Sequence, residues 1–155
     1  MVESIGVVDL ETLKREGGLD FLNGIITGRH PAPPIAETLG FHLVEVVAGR
    51  AVFESTPARR HYNPIGTVHG GYAATLLDSC MGCAVHSTLG QGQGYTTLEF
   101  KVHLVKAITD ATGPVRAEGR VLSTGRRAAT AEGHLTDATG KLLAHATTTC
   151  LIFSL

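Results

Sequence analysis

Between Asn63 and Leu89 the chain reads NPIGTVHGGYAATLLDSCMGCAVHSTL, a polar loop, a glycine pair and then a run with no polar side. Ala73, Ala74, Leu76, Leu77, Met81, Ala84 and Val85 leave no solvent face at helical spacing, which predicts a buried helix from about His69 to Leu89. The GQGQG run from Gly90 ends it. After it the period becomes two. From Tyr95 to Lys106, the residues Thr96, Leu98, Phe100, Val102 and Leu104 alternate with Thr97, Glu99, Lys101, His103 and Val105, which predicts a strand with the first set facing the core. Three more strands are expected over 114–122, 127–136 and 141–153, joined by the Gly-containing turns DATG, STG and DATG.

Upstream, Asp9 is placed to cap a helical turn over Leu10–Arg15, with Gly17 and Gly18 stopping it. Residues 19–27 carry Phe21, Leu22, Ile25 and Ile26 on one helical side, and HPAPPI after them reads as a linker because its prolines remove backbone donors. Phe41–Val47 and Arg50–Ser55, separated by Ala48-Gly49, read as a hairpin. The expected division is a helical extension and Pro-rich linker over 1–34, followed by one domain over 35–155. Short connections call for antiparallel neighbours, so the fold class is α+β: a curved antiparallel sheet of about six strands wrapped around one long central helix. A single sheet covers only one side of a helix that is apolar all round, which points to a second subunit on the other side.

Composition narrows the function. A chain of 155 residues suits one domain with a real core, and a net charge of −1 with no basic run argues against nucleic acid. No apolar stretch is long enough for a bilayer, and the start lacks the layout of a signal peptide. Three cysteines fit free thiols in a reducing compartment, so the expected location is cytoplasmic.

The candidate chemistry lies in the central segment. Gly70 and Gly71 open the helix, where unpaired N–H groups and a partial positive charge receive a ligand carbonyl. Bare glycines leave those donors approachable, the design of an oxyanion hole. Asp78 is the one acid in the apolar helix, and a carboxylate there needs either a strong partner or a chemical task. It follows Gly71 by seven residues, on nearly the same face but roughly 10 Å along the axis. One carbonyl does not reach both ends of that span. An antiparallel pairing with the same helix of a second copy would set Asp78 opposite the other Gly70, which argues for a site shared across a dimer.

These residues resemble a known family. NxxGxxHGG, with an acid nine residues after the histidine, is similar to the hotdog-fold acyl-CoA thioesterases, in the PaaI-like (phenylacetate-degradation) and 4-hydroxybenzoyl-CoA thioesterase branch. The likeness runs from about Ile35 to the C-terminus and includes the strand at Tyr95, the Gly125-Arg126 turn and the DATGKLLA hairpin. It implies the hotdog fold and hydrolysis of an acyl-CoA, with coenzyme A as part of the substrate and no separate cofactor. Asp78 would be general base or nucleophile, Gly70 would polarise the carbonyl, Asn63 would position the thioester or the water, His69 would line the site, and Thr96 would orient a water. Two departures stand out: Gly82 replaces a Ser or Thr found in some relatives, and GRR replaces a Gly-Ser-Thr turn, so nucleotide-end contacts differ. Arg126, Arg127 and Arg59 are candidates for the coenzyme A phosphates, because a guanidinium suits phosphate oxygens. Self-association as a dimer, or a dimer of dimers, is expected.

Plainer readings compete. Asp78 could be a structural acid, His69 and Asn63 could merely close the helix and the turn, Thr96 could pack, and the arginines could be solvated. Cys80 and Cys83 form a CxxC in mid-helix with no second ligand pair, which favours core packing, and the eight histidines form no metal pattern. No nucleophile elbow is present. Two other activities remain open: a hydratase or dehydratase of acyl thioesters, and a non-catalytic acyl-CoA binder.

Overall fold

The structure, a computed structural model, describes residues 4–155. Three short helices precede the sheet: α1 (Leu10–Arg15), α2 (Gly18–Ile26) and α3 (Pro34–Leu39). Asp9 caps α1 as its spacing predicts, its side chain accepting from Thr12 N–H. Of HPAPPI, residues 30–33 are irregular connecting chain, and α3 begins at Pro34. Pro34 occupies the first helical turn, where no backbone donor is needed and the ring presets φ, so proline there starts a helix.

The strands are β1 (Phe41–Val47), β2 (Arg50–Ser55), β3 (Gln93–Leu104), β4 (Val115–Thr124), β5 (Ala128–Asp137) and β6 (Leu142–Ser154), with the long helix α4 (Gly70–His86) between β2 and β3. They form one curved six-stranded antiparallel sheet, in the order β1-β2-β4-β5-β6-β3, with α4 packed on it. This is the hotdog arrangement expected from the sequence. Gly49, with φ +80°, makes the tight β1–β2 turn. α4 stops at His86, earlier than its apolar run, because the Ser87 and Thr88 hydroxyls fold back on the carbonyls of Ala84 and Val85.

Two features differ from the sequence expectation. β3 does not pair with β4, which follows it; it lies at the far edge and pairs with β6, from Gln93 opposite Ser154 to Leu104 opposite Ala144. The second is a register shift between Thr97 and Glu99, where Leu98 is an extra residue without a partner. It reverses the alternation, so Tyr95 and Thr97 share the helix side with Val102, and Thr96 falls on the other face.

The core lies between α4 and the sheet. Leu76, Leu77, Cys80, Met81 and Ala84 are fully buried there, with Ala117, Ala131 and Leu135 facing them from β4 and β5. α4 is not covered all round: Gly71, Ala74, Thr75, Asp78 and Ser79 form a partly exposed stripe of small and polar residues. β3 beside it is an open edge with Leu98, Phe100 and Leu104 exposed.

Candidate active site

Loop 62–69 is built from the inside. Asn63 Oδ1 accepts from the N–H groups of Ile65 (3.0 Å) and Thr67 (3.2 Å), and its Nδ2 donates to Thr67 Oγ1 (3.0 Å). Asn63 thus folds the loop as well as lining what the loop encloses. The loop delivers His69 to the N-cap of α4. There the ring Nδ1 accepts from Gly71 N–H at 2.8 Å, and His69 N–H donates to His61 O at 2.8 Å. His61 is stacked on Tyr72 at 4.6 Å, and burial, with Arg60 nearby, holds its pKa below the usual histidine value.

The capping sorts the helix N-terminal donors. Gly71 N–H is taken by His69, and Tyr72 N–H by His69 O. Gly70 N–H has no hydrogen-bond partner among the described residues. It opens on a groove of about 200 Å³ lined by Asn63, Thr67, His69, Gly70, Leu104 and Lys106 among others. A Cβ at Gly70 would stand 2.7 Å from Leu104 Cδ1, so the missing side chain is what leaves the donor room.

Asp78 lies two turns along the exposed stripe, about 12 Å from Gly70 along the axis at the usual helical rise. Thr97 Oγ1 donates to its Oδ1 at 2.9 Å, while Oδ2 has no partner among the described residues. The acid is partly buried, with β3 covering one flank of it. The threonine that touches it is Thr97, not Thr96, as the extra residue at Leu98 dictates. Alternation alone contains no trace of that bulge. Within the chain the structure therefore gathers Asn63, His69 and Gly70 at one end of the stripe, and Asp78 with Thr97 at its middle.

The arginines are not gathered there. Arg126 and Arg127 share a hollow with Gln93, Leu151 and Phe153, at the opposite end of β3 from the Gly70 groove. Arg59 lies over the Tyr62 ring at 5.1 Å, next to the Asn63 loop. The cations that sequence reading passed over are Lys106, on the groove wall, and Lys141, close enough for its ammonium group to lower the Lys106 pKa. Only the pairing of β3 with β6 brings them together, so no local motif marks them.

Burial, reinforced by Asp78, pushes the Cys83 thiol up to about 12, and burial pushes Cys80 higher still, so both stay protonated as apolar packing groups. Among the described residues no cluster of three or more His, Cys, Asp or Glu is arranged to hold a metal ion, and no helix is long and apolar enough to cross a membrane.

Residues 65–144 match the family model described as the thioesterase superfamily. Among solved structures, the chain is similar to the phenylacetic acid degradation-related protein of Ralstonia eutropha JMP134, with 29% identity and a TM-score of 0.76 over 84% of this chain and 98% of that one. A conserved protein of Pseudomonas aeruginosa is 32% identical, with a TM-score of 0.72 over 77% and 94% of the two chains. A protein of Streptococcus mutans UA159 solved bound to acetyl CoA is 25% identical, with a TM-score of 0.67 over 74% and 89%. No curated protein matches the sequence.

Proposed function

This chain belongs to the thioesterase superfamily, and from that premise we propose that it hydrolyses an acyl-CoA to the free acid and coenzyme A. One observation carries the reading. A bare glycine at a helix N-terminus offers to a groove an N–H that is unpaired among the described residues, and the same partly exposed stripe carries a carboxylate with one oxygen held by Thr97 and the other without a partner among them. The first is suited to a developing oxyanion and the second to attack on a carbonyl carbon.

Gly70 and Asp78 are too far apart along one helix to serve one carbonyl, so the complete site belongs to a dimer. The open edge of β3, with its exposed apolar residues, and the small side chains of the α4 stripe support that association. In it the thioester oxygen takes the Gly70 N–H of one copy, and the carbonyl carbon faces Asp78 of the other. The free carboxylate oxygen acts either as base toward a water or as nucleophile through a mixed anhydride. In both routes a C–O bond forms, the C–S bond breaks and the sulfur leaves as the coenzyme A thiol. Asn63 keeps the loop in shape around the thioester. Lys106 and Lys141, at the groove edge, are better situated for coenzyme A phosphates on this side than Arg126 and Arg127.

Hydration of a carbon–carbon double bond requires a histidine free to move a proton. His69 instead has Nδ1 committed to Gly71 N–H, which disfavours that alternative. The test is free-thiol release from aromatic and aliphatic acyl-CoAs, with Asp78→Asn in parallel. Thiol release by the native protein, falling by a factor of about 10² to 10⁴ in the variant, is the expected outcome. Undiminished turnover by Asp78→Asn would overturn the role of the acid, and tight acyl-CoA binding with no release would favour the binder.

A further inference from the structure

His61 closes the neck of the loop that carries Asn63. Its carbonyl accepts from His69 N–H at 2.8 Å, so residues 61 and 69 meet across the base of the loop. Its ring is tied back to the start of the same turn. Nδ1 accepts from Ala58 N–H at 3.0 Å while His61 N–H donates to Ala58 O at 2.9 Å, a two-way link that shapes the 3₁₀ turn Arg59–His61. The contacts then run unbroken to the helix start. Ala58 holds the His61 ring, His61 holds His69, and His69 takes the N–H groups of Gly71 and Tyr72. Gly70 N–H is the donor that this series leaves over.

The tautomer follows from the partners. An N–H pointed at Nδ1 needs a lone pair there, so the neutral ring carries its proton on Nε2. His61 is only 6% exposed, and Nε2 is buried with no hydrogen-bond partner among the described residues. The fold satisfies the nitrogen that faces Ala58 and leaves the other without an acceptor. One side of the ring is walled by Tyr72. The Tyr72 hydroxyl donates to Ser55 Oγ at 2.5 Å, and Ser55 donates in turn to Gly40 O at 2.7 Å, which ties the phenol to β2.

We propose that His61 is a positioning residue for the oxyanion donor: its neutral ring holds the neck of the loop, and a proton on Nδ1 releases the neck and misplaces Gly70 N–H. That proton sets one N–H against another, at Ala58, with no acceptor for either. The groups around the ring do nothing to hold an imidazolium. On its own turn Arg60 is a cation, and Arg59 lies over Tyr62 instead. On α4 Tyr72 is a phenol kept neutral by burial, and His69 turns its own Nδ1 to Gly71. No carboxylate among the described residues pairs with the ring. Burial, with Arg60 behind it, holds the His61 pKa below the usual 6.5, so the neutral form prevails at pH 7.

The catalytic half of the inference rests on the thioesterase reading, and the experiment separates the two. Asparagine puts an oxygen where Nδ1 stands and does not titrate, whereas glutamine and phenylalanine put no acceptor there. Thiol release from benzoyl- and hexanoyl-CoA is measured between pH 5 and pH 8 for the native protein, His61→Asn, His61→Gln and His61→Phe, each checked for folding by circular dichroism. At pH 7 the Gln and Phe variants should lose about 10- to 100-fold in kcat with KM within about threefold, the mark of a misplaced transition-state donor. His61→Asn should stay within about threefold of the native kcat at pH 7 and decline less than the native protein toward pH 5. Folded Gln and Phe variants with native kcat, or an Asn variant with the native acid limb, would overturn the proposal. If those two variants do not fold, the native and Asn pH profiles decide it. A readout without substrate accompanies these. In ¹⁵N-labelled native protein, long-range ¹H–¹⁵N spectra should show the Nε2–H tautomer of His61 at pH 7, and the Gly70 amide should shift as His61 titrates. An Nδ1–H tautomer, or a Gly70 amide that stays in place through that titration, would overturn the proposal. Should neither acyl-CoA release thiol, the thioesterase reading fails by itself, and this titration alone decides whether His61 positions Gly70.

Discussion

The two long faces of α4 are built to opposite rules. Toward β4 and β5 the helix is sealed: Leu76, Leu77, Cys80, Met81 and Ala84 have no exposure, and the strands come so close that a Cβ at Gly119 would stand 2.2 Å from Cys80 O. Toward β3 the helix carries Gly71, Ala74, Thr75, Asp78 and Ser79, small or polar and partly open to solvent. Close packing holds a chain in one conformation but admits nothing new, whereas a small-residue stripe admits a ligand or a second surface and contributes little to the stability of the single chain. The same helix supplies the fold with one face and the chemistry with the other.

That division is tested first by Asp78→Asn, which should remove about 10² to 10⁴ of turnover while leaving the melting temperature nearly unchanged, since the Asn keeps the shape and an oxygen to accept the Thr97 hydroxyl. Gly119→Ala is the converse: about 1–3 kcal/mol of overpacking against the α4 backbone, or more, should appear in chemical denaturation. A neutral Gly119→Ala would break the comparison. A smaller effect sharpens the open face. Thr97→Val removes the hydroxyl from Asp78 Oδ1 and should lower kcat about tenfold, whereas Thr96→Val, on the other side of β3, should change it little.

The smallest effect concerns the junction of the two faces. Burial lowers the His86 pKa below its usual 6.5, so as pH falls through that value the unfolded chain takes up the proton before the native one does. Stability therefore drops on going from pH 7 to pH 5, and His86→Gln should flatten that slope in pH-dependent melting. His61, also lowered by burial, keeps part of the slope in the variant.

Much of this was legible before the structure. The helix that carries the site, the strands and the turn positions follow from hydrophobic period and glycine placement, and Gly70 with Asp78 stands out as a bare helix start and an isolated acid. What stayed hidden has physical causes. An alternating run reads the same with or without an extra residue, so Leu98 gave no sign of swapping Thr96 for Thr97. A proline cluster breaks a helix or starts one depending on which residue takes the first turn, and Pro34 starts one. Pairing of β3 with β6 depends on contacts far apart in the chain, so the approach of Lys106 and Lys141 and the open edge beside Asp78 follow from no local pattern.

The place of β3 also sets the order in which the protein can be assembled. On a ribosome, α4 and β3 emerge before any of β4, β5 or β6, yet α4 packs on β4 and β5, and β3 finds its partner only in the closing strand, where Gln93 meets Ser154. Until β4 and β5 have emerged, α4 lacks the strands that seal its buried face, and until β6 has emerged β3 has no hydrogen-bonded neighbour. Contacts of such long sequence separation make for slow closure. The half-made chain is thus the form most exposed to misassociation, and the final strand, remote in sequence from Asp78, completes the sheet that holds Thr97 against it.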